Sequence, residues 1–276
     1  MPTPPHPLVR AARRFLSHPA AGPLKLGLRR GLGRYLRWRL RSRQQPWPTR
    51  PAGTSTLIVA PHPDDETFGC GGLIATRTAA GQPVHVAYVT DGAASHPGHP
   101  SLTPAALAVV RENEARTAAA ILGVPATHLH FFAAPDGRLR DLAPEQRASL
   151  VRLIRELTER IRPTEIFVTA AGDGSTEHAA ANGIVRDALK PSPAPAPRIL
   201  EYPVWSLWSP LLLGPILRAE PRLYRQPLAP DVLRRKREAI RAYVTQLAPS
   251  PPWGRAVLPA GFTGCFESAE EFFFEP

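Results

Sequence analysis

Thr56-Leu57-Ile58-Val59-Ala60-Pro61-His62-Pro63-Asp64-Asp65-Glu66 is the stretch that decides how this chain reads. T-L-I-V-A is a short, unbroken apolar run, the composition of a strand buried on both faces of a parallel sheet. A histidine and three acids follow at once, separated only by Pro61 and Pro63. A helix is predicted behind them over about 67–80, stopped by Gly81. In open α/β sheets ligands bind beyond the carboxyl ends of the strands. The polar string therefore falls where a site is expected.

Outward from that stretch, strands and helices alternate. Strands are predicted at 84–90, 128–132, 165–169 and 198–202, and helices up to Leu122, over 144–161, over 177–189 and over 231–247. This βαβα rhythm predicts an α/β fold: a doubly wound, mostly parallel, Rossmann-like sheet with helices on both faces. The aromatic run Phe272-Phe273-Phe274 reads as core or edge packing. Chain length suits one sizeable domain, placed at 51–276, behind a basic leader at 1–50.

The formal net charge of +11 suggests nucleic acid until it is located. Residues 1–50 hold 12 basic residues and no acid, which leaves 22 basic and 23 acidic residues in the remainder. No basic groove runs through the domain, so a nucleic-acid partner is not expected. Within the leader, Leu24, Leu28, Leu32, Leu36 and Leu40 recur at helical spacing among seven arginines. Two readings stand there: a basic amphipathic helix over 24–43 on an anionic membrane surface, or the plainer one of a helix packed on the domain's own surface or a mostly disordered basic arm. Cys70 and Cys265 do not make a disulfide scaffold. With no secretory h-region and no long apolar run, the expected location is cytoplasmic, with the inner membrane face as the peripheral alternative.

Two loops at strand ends carry the chemistry. The first is His62-Pro63-Asp64-Asp65-Glu66. The second is Gly172-Asp173-Gly174-Ser175-Thr176-Glu177-His178. Asp91, Asp136 and Glu201 stand at further strand ends. His62 and Asp65 are three apart and can bind one ion, with His178 placed to complete the set, and such mixed imidazole and carboxylate donors suit zinc. Asp64 would then be free to take a proton. Glu66 reads as a helix N-terminal cap. Adjacent carboxylates behind a buried strand repel unless a cation holds them.

These residues, with Gly69-Cys70-Gly71-Gly72, Thr90-Asp91-Gly92, Arg111-x-x-Glu114, Pro135-Asp136-Gly137 and Tyr202-Pro203-Val204-Trp205, resemble the PIG-L/LmbE-like family of zinc-dependent N-acetylglucosaminyl deacetylases. The resemblance runs from about residue 57 to 247. It implies an α/β hydrolytic domain that removes the acetyl group of an N-acetylglucosamine-type sugar or glycoconjugate. His62, Asp65 and His178 would be the zinc ligands, and Asp64 the general base toward a zinc-activated water. Iron(II) also suits two histidines and a carboxylate. Arg111 and Asp136 match positions that contact the sugar's hydroxyls, and Asp91 is grouped with them. Cys70 reads as a packed residue.

One position departs from the family pattern. The second metal motif commonly reads H-x-D-H, and here its first histidine is Ser175. A serine can steady an oxyanion but supplies no proton near neutral pH. Three outcomes are open: Asp64 acts as both base and acid, His96 or His99 reaches in, or activity is reduced. His128 and His130 read as packing residues. The rival functions are an amidase on a non-sugar conjugate and a catalytically silent, metal-containing sugar-binding protein.

Overall fold

T-L-I-V-A forms strand β2 (Thr56–Ala60), and every one of its residues is buried. Alternate side chains feed two cores, Ile58 and Ala60 on one face and Leu57 and Val59 on the other. That two-sided burial is why the run carries no polar alternation. The computed structural model describes residues 40–42, 44–45, 47, 54–190, 196–209 and 212–276. The amphipathic reading of 24–43 lies outside them, apart from a helical end at 40–42.

Strands β1 (Gln44–Gln45), β3 (Val84–Thr90), β4 (Leu129–Ala134), β5 (Glu165–Thr169), β6 (Arg198–Tyr202), β7 (Arg222–Pro227) and β8 (Glu270–Glu275) complete one sheet, in the order β1-β7-β8-β6-β5-β2-β3-β4. All neighbouring pairs are parallel except those of β8, which runs against β6 and β7. The five longer helices are α1 (Asp65–Ala79), α2 (Pro104–Leu122), α3 (Pro144–Ile161), α4 (Thr176–Leu189) and α5 (Pro230–Arg241). Leu73 of α1, Ala115 of α2 and Ile240 of α5 pack in one core; Ile154 of α3 and Val185 of α4 pack in the other. Helices thus cover both faces, as the rhythm predicts.

Residues 43–276 form one compact unit, which contains the whole sheet. Trp47 packs within it, its ring meeting Phe167, Tyr224 and Phe273 at 6.4, 5.3 and 5.5 Å. The late helix expected over 231–247 is two pieces, α5 and a short turn at Val244–Leu247. The break carries Tyr243 into the core, where its hydroxyl donates to Glu66, and lets Thr245 give two hydrogen bonds of 2.7 Å to Glu114. The strand expected over 128–132 begins one residue later. His128 closes a 3₁₀ turn and stacks on His85 at 3.9 Å, a packing role.

The glycines of α1 have a steric reason. A Cβ on Gly69 would meet the Tyr202 ring, and one on Gly72 would meet Leu228. That close approach brings Glu271 of β8 against the helix. Its carboxylate accepts the Gly72 and Leu73 N–H groups at 2.7 Å each, and Lys236 of α5 donates to Glu271 at 2.7 Å and to Phe68 O at 2.8 Å. Both charges are buried. Removing one member leaves the other uncompensated. We expect Lys236→Met to lower stability by about 3–5 kcal/mol in urea unfolding. A loss under about 1 kcal/mol, the range of surface pairs, would contradict this account.

Candidate active site

The strand order reverses at β2, which lies between β3 and β5, and the loops leaving β2 and β5 open side by side. This is where an open α/β sheet places its ligand crevice. Directly after β2 the backbone turns sharply, with Asp64 at φ 145°, a region that disfavours side chains. Its carbonyl accepts the Thr67 and Phe68 N–H groups at 3.0 Å, and its own N–H donates to Glu66 at 3.1 Å. Glu66 thus has the capping role expected of it.

The turn gives neighbouring carboxylates different partners. Asp65 Oδ2 accepts the His62 backbone N–H and lies 3.0 Å from His62 Nδ1. Asp65 Oδ1 lies 3.3 Å from His178 Nε2. Asp64 Oδ2 instead meets the Arg111 guanidinium at 3.2 Å, and Arg111 also donates to Pro63 O. Burial pushes the Asp64 carboxyl up to about 7, against the downward pull of Arg111 and with the Asp65 charge adding to the rise. Asp65 moves the opposite way: burial would raise it, but the two imidazoles hold it well below the usual carboxylate range.

His178, in the first turn of α4, is fully buried. Its Nδ1 lies 2.7 Å from Asp173 Oδ2. Asp173 also accepts the N–H groups of Val204, Trp205 and Ser206 at 3.0, 2.9 and 2.9 Å and the Ser206 hydroxyl at 2.5 Å. A carboxylate accepts only, so the Asp173 contact places a proton on Nδ1 and aims Nε2 at Asp65. Burial would depress both site histidines, yet the carboxylates win. His62 rises to about 10 through Asp136 and Asp65, and His178 to about 9 through Asp65 and Asp173.

This donor set fits a divalent cation. His62, Asp65 and His178 each offer one ligand atom, all within 4.8 Å of one another. His178 Nε2 is buried and makes no hydrogen bond although it faces a carboxylate oxygen. A cation between them would satisfy both atoms. Both imidazoles also have a carboxylate behind the other nitrogen, Asp173 for His178 and Asp136 for His62 at 3.2 Å, an arrangement that orients metal-binding histidines.

A cavity of about 280 Å³ opens onto this cluster, and His62, Asp64, Asp65, Arg111 and Asp136 line it. Two residues expected at the site are used elsewhere. Asp91 caps its own turn by accepting the Ala93 N–H at 3.0 Å. Ser175 is the N-cap of α4, its hydroxyl accepting the His178 N–H. Neither lines the cavity. His96 stacks on Trp253 at 5.1 Å, His99 contacts Ser250 at 2.9 Å, and neither reaches in. Glu201 pins Asn182, Arg186 and the Ala171 N–H. Cys70 is buried in the core, as expected.

The sequence assigned no role to Asp173 or Glu177. Asp173 had no signal beyond its glycine-flanked place after β5. Glu177 accepts the Leu139 N–H at 3.0 Å, and its other oxygen is buried without a hydrogen-bond partner, 4.0 Å from His62 Nε2. With His62 and Asp136 it forms a second group of metal-binding type.

Residues 57–189 match the family model described as PIG-L, GlcNAc-PI de-N-acetylase. No curated protein matches the chain. Among solved structures, an N,N'-diacetylchitobiose deacetylase from Pyrococcus horikoshii is 21% identical, with 71% of this chain and 72% of that one covered at a TM-score of 0.55. The zinc-inhibited form of a teicoplanin deacetylase is 17% identical, over 80% and 97% of the two chains, TM-score 0.54. A 4-carboxy-2-hydroxymuconate hydratase from Pseudomonas putida KT2440 is 21% identical, over 70% and 80%, also at 0.54. At these identities the likeness establishes the fold, which the hydratase shares with the deacetylases. The likeness to the PIG-L family is one of sequence over residues 57–189, and its motif residues gather at the switch point. Over residues 57–189, just under half of the chain, the sequence matches the GlcNAc-PI de-N-acetylase (PIG-L) family.

Proposed function

We propose that this protein is a zinc-dependent deacetylase that hydrolyses the N-acetyl amide of an N-acetylglucosamine-type sugar, giving acetate and an amino sugar. The observation that carries the reading is the pairing of a cation-ready His62–Asp65–His178 set with a separate, cavity-lining Asp64. A silent binding protein would have no use for a carboxylate kept apart from the ligands on strained backbone. A divalent ion held by the three ligands supplies Lewis acidity to the amide carbonyl and to water.

Asp64 takes the proton of the attacking water and returns it to the departing nitrogen, serving as base and then acid. Its upward displacement to about 7 suits both halves of that task. Arg111 positions Asp64 through the 3.2 Å contact. Asp136 sits behind His62 and at the cavity edge, where one oxygen is already held by the Ala94 N–H at 2.9 Å. In this reading Ser175 is a structural cap and the missing histidine is not replaced by another imidazole. The leader's proposed contact with an anionic membrane is a separate matter on which this chemistry does not depend.

Acetate release from N-acetylglucosamine and its glycosides tests the assignment. We expect Asp64→Asn to lower kcat by about 10²–10⁴-fold, the range for a general acid–base group, with metal content unchanged. Ser175→Ala should change kcat less than tenfold and cost about 1 kcal/mol of stability through the lost cap. Unchanged turnover in Asp64→Asn would remove Asp64 from the mechanism.

The raised histidines also predict how the metal responds to pH. His62 and His178 titrate above their unfolded value of 6.5, so their stabilisation is complete below that pH and is lost as pH rises through about 9 to 10. A bound cation takes the place of those protons. Zinc affinity should therefore rise between pH 6 and pH 9, with protons released on binding, as calorimetry in buffers of different ionisation heat would detect. An affinity that does not vary with pH would contradict protonated ligands in the metal-free protein.

A further inference from the structure

We propose that the turn from Tyr243 to Gln246 is a brace for the catalytic groups: Tyr243 and Thr245 are positioning residues that hold Asp64 and Arg111 in place through Glu66 and Glu114. The proposal rests on the deacetylase reading for what Asp64 does, and on separate geometry for how it is held. Asp64 stands at φ 145°, a conformation that persists only where its surroundings over-determine it. One of those constraints is Glu66, whose Oε2 accepts the Asp64 N–H at 3.1 Å. Glu66 is itself only 1% exposed, and its other oxygen accepts the Thr67 hydroxyl at 2.6 Å and the Tyr243 hydroxyl. Neutral donors thus hold a buried carboxylate, an arrangement that costs free energy and that an apolar side chain would avoid. What the carboxylate does in return is fix the backbone of Asp64.

The second arm runs through α2. Arg111 is buried; it meets Asp64 Oδ2 at 3.2 Å and donates to Pro63 O. Glu114 lies three residues further along the same helix, on the same face. Its carboxylate accepts the Thr245 N–H and the Thr245 hydroxyl at 2.7 Å each. That two-point grip sets the rotation and height of α2 against the turn, and so where Arg111 reaches. Gly92, at φ 67°, leaves the room for it, since a Cβ there would meet the guanidinium group. The turn also borders the cavity: Gln246 is buried and lines it, its amide donating to Thr245 Oγ1 at 2.9 Å and its carbonyl accepting the Leu258 N–H at 3.0 Å. Glu66 and Glu114 lie within the segment that matches the family, whereas Tyr243 and Thr245 lie beyond it.

The test removes one hydroxyl and compares it with a matched one elsewhere. Tyr243→Phe keeps the ring in the core. Tyr224→Phe removes a hydroxyl that likewise donates to a carboxylate, Glu275 at 2.8 Å, but on β7. The assay uses metal-loaded full-length protein and methyl N-acetyl-β-glucosaminide. Tyr243→Phe should lower kcat by about ten- to a hundredfold while KM and bound zinc stay within about twofold, as expected when a reacting group is misplaced. Thr245→Val should act in the same direction, and Tyr224→Phe should match the wild type. Hydrogen exchange at the Asp64 amide, followed by NMR, reads the same contact without any substrate. It should quicken by about tenfold in Tyr243→Phe and not in Tyr224→Phe. A Tyr243→Phe kcat within about twofold of the wild type would overturn the proposal, as would a loss that Tyr224→Phe shares. If the wild type releases no acetate, the deacetylase reading fails and the exchange rates alone decide. An Asp64 amide that Tyr243→Phe leaves unchanged then overturns the brace, and one that quickens supports it.

Discussion

Asp65 lies between two imidazoles, with one oxygen 3.0 Å from His62 and the other 3.3 Å from His178. The geometry around it serves to hold that carboxylate and its neighbours together in a buried space. Asp64, Asp136 and Glu177 crowd the same few ångströms, and such a concentration of acids is tolerable only with positive charge among them. Protonated histidines provide it in the metal-free protein, and a divalent cation would provide it otherwise. The fold provides the framework: parallel pairing of β2 with β5 brings the two loops to one edge, and the first turn of α4 projects His178 toward Asp65. Asp173, locked by three backbone N–H groups from residues 204–206, fixes the ring that faces it.

Much of this was legible in the sequence, and the failures have physical causes. β2 and β5 are buried on both faces and therefore read as uninterrupted apolar runs. β8 was hidden because its buried first two residues are glutamates. Glu270 and Glu271 lie inside only because Arg225 and Lys236 meet them, a pairing across 35 to 45 residues that no local pattern encodes. The late helix looked continuous because periodicity cannot register that Tyr243 is more stable against Glu66 than in a helical turn.

Within the site, His62, Asp64, Asp65 and His178 were legible because a strand end, a turn and a helix start fix them locally. Arg111 and Asp136 were legible as site residues, though the structure ties them to Asp64 and His62. Asp91 and Ser175 carry the right side chains, but backbone N–H groups claim them. Asp173 acts through a contact five residues away and through a loop thirty residues further on, and sequence spacing alone does not reveal that. The fold does not fix the chemistry either, since a hydratase shares it. The functional reading rests on which side chains converge, and the apolar wall from residues 204–205 and 257–262 lies beyond the family match.

The most direct test of the central claim is X-ray absorption at the zinc edge on protein loaded with one equivalent of zinc. The account predicts two imidazole nitrogens and carboxylate oxygen at about 2.0–2.2 Å with no sulfur shell, and the loss of one imidazole in His178→Ala. A sulfur shell from Cys70 or Cys265, or a spectrum that His178→Ala leaves unchanged, would contradict it.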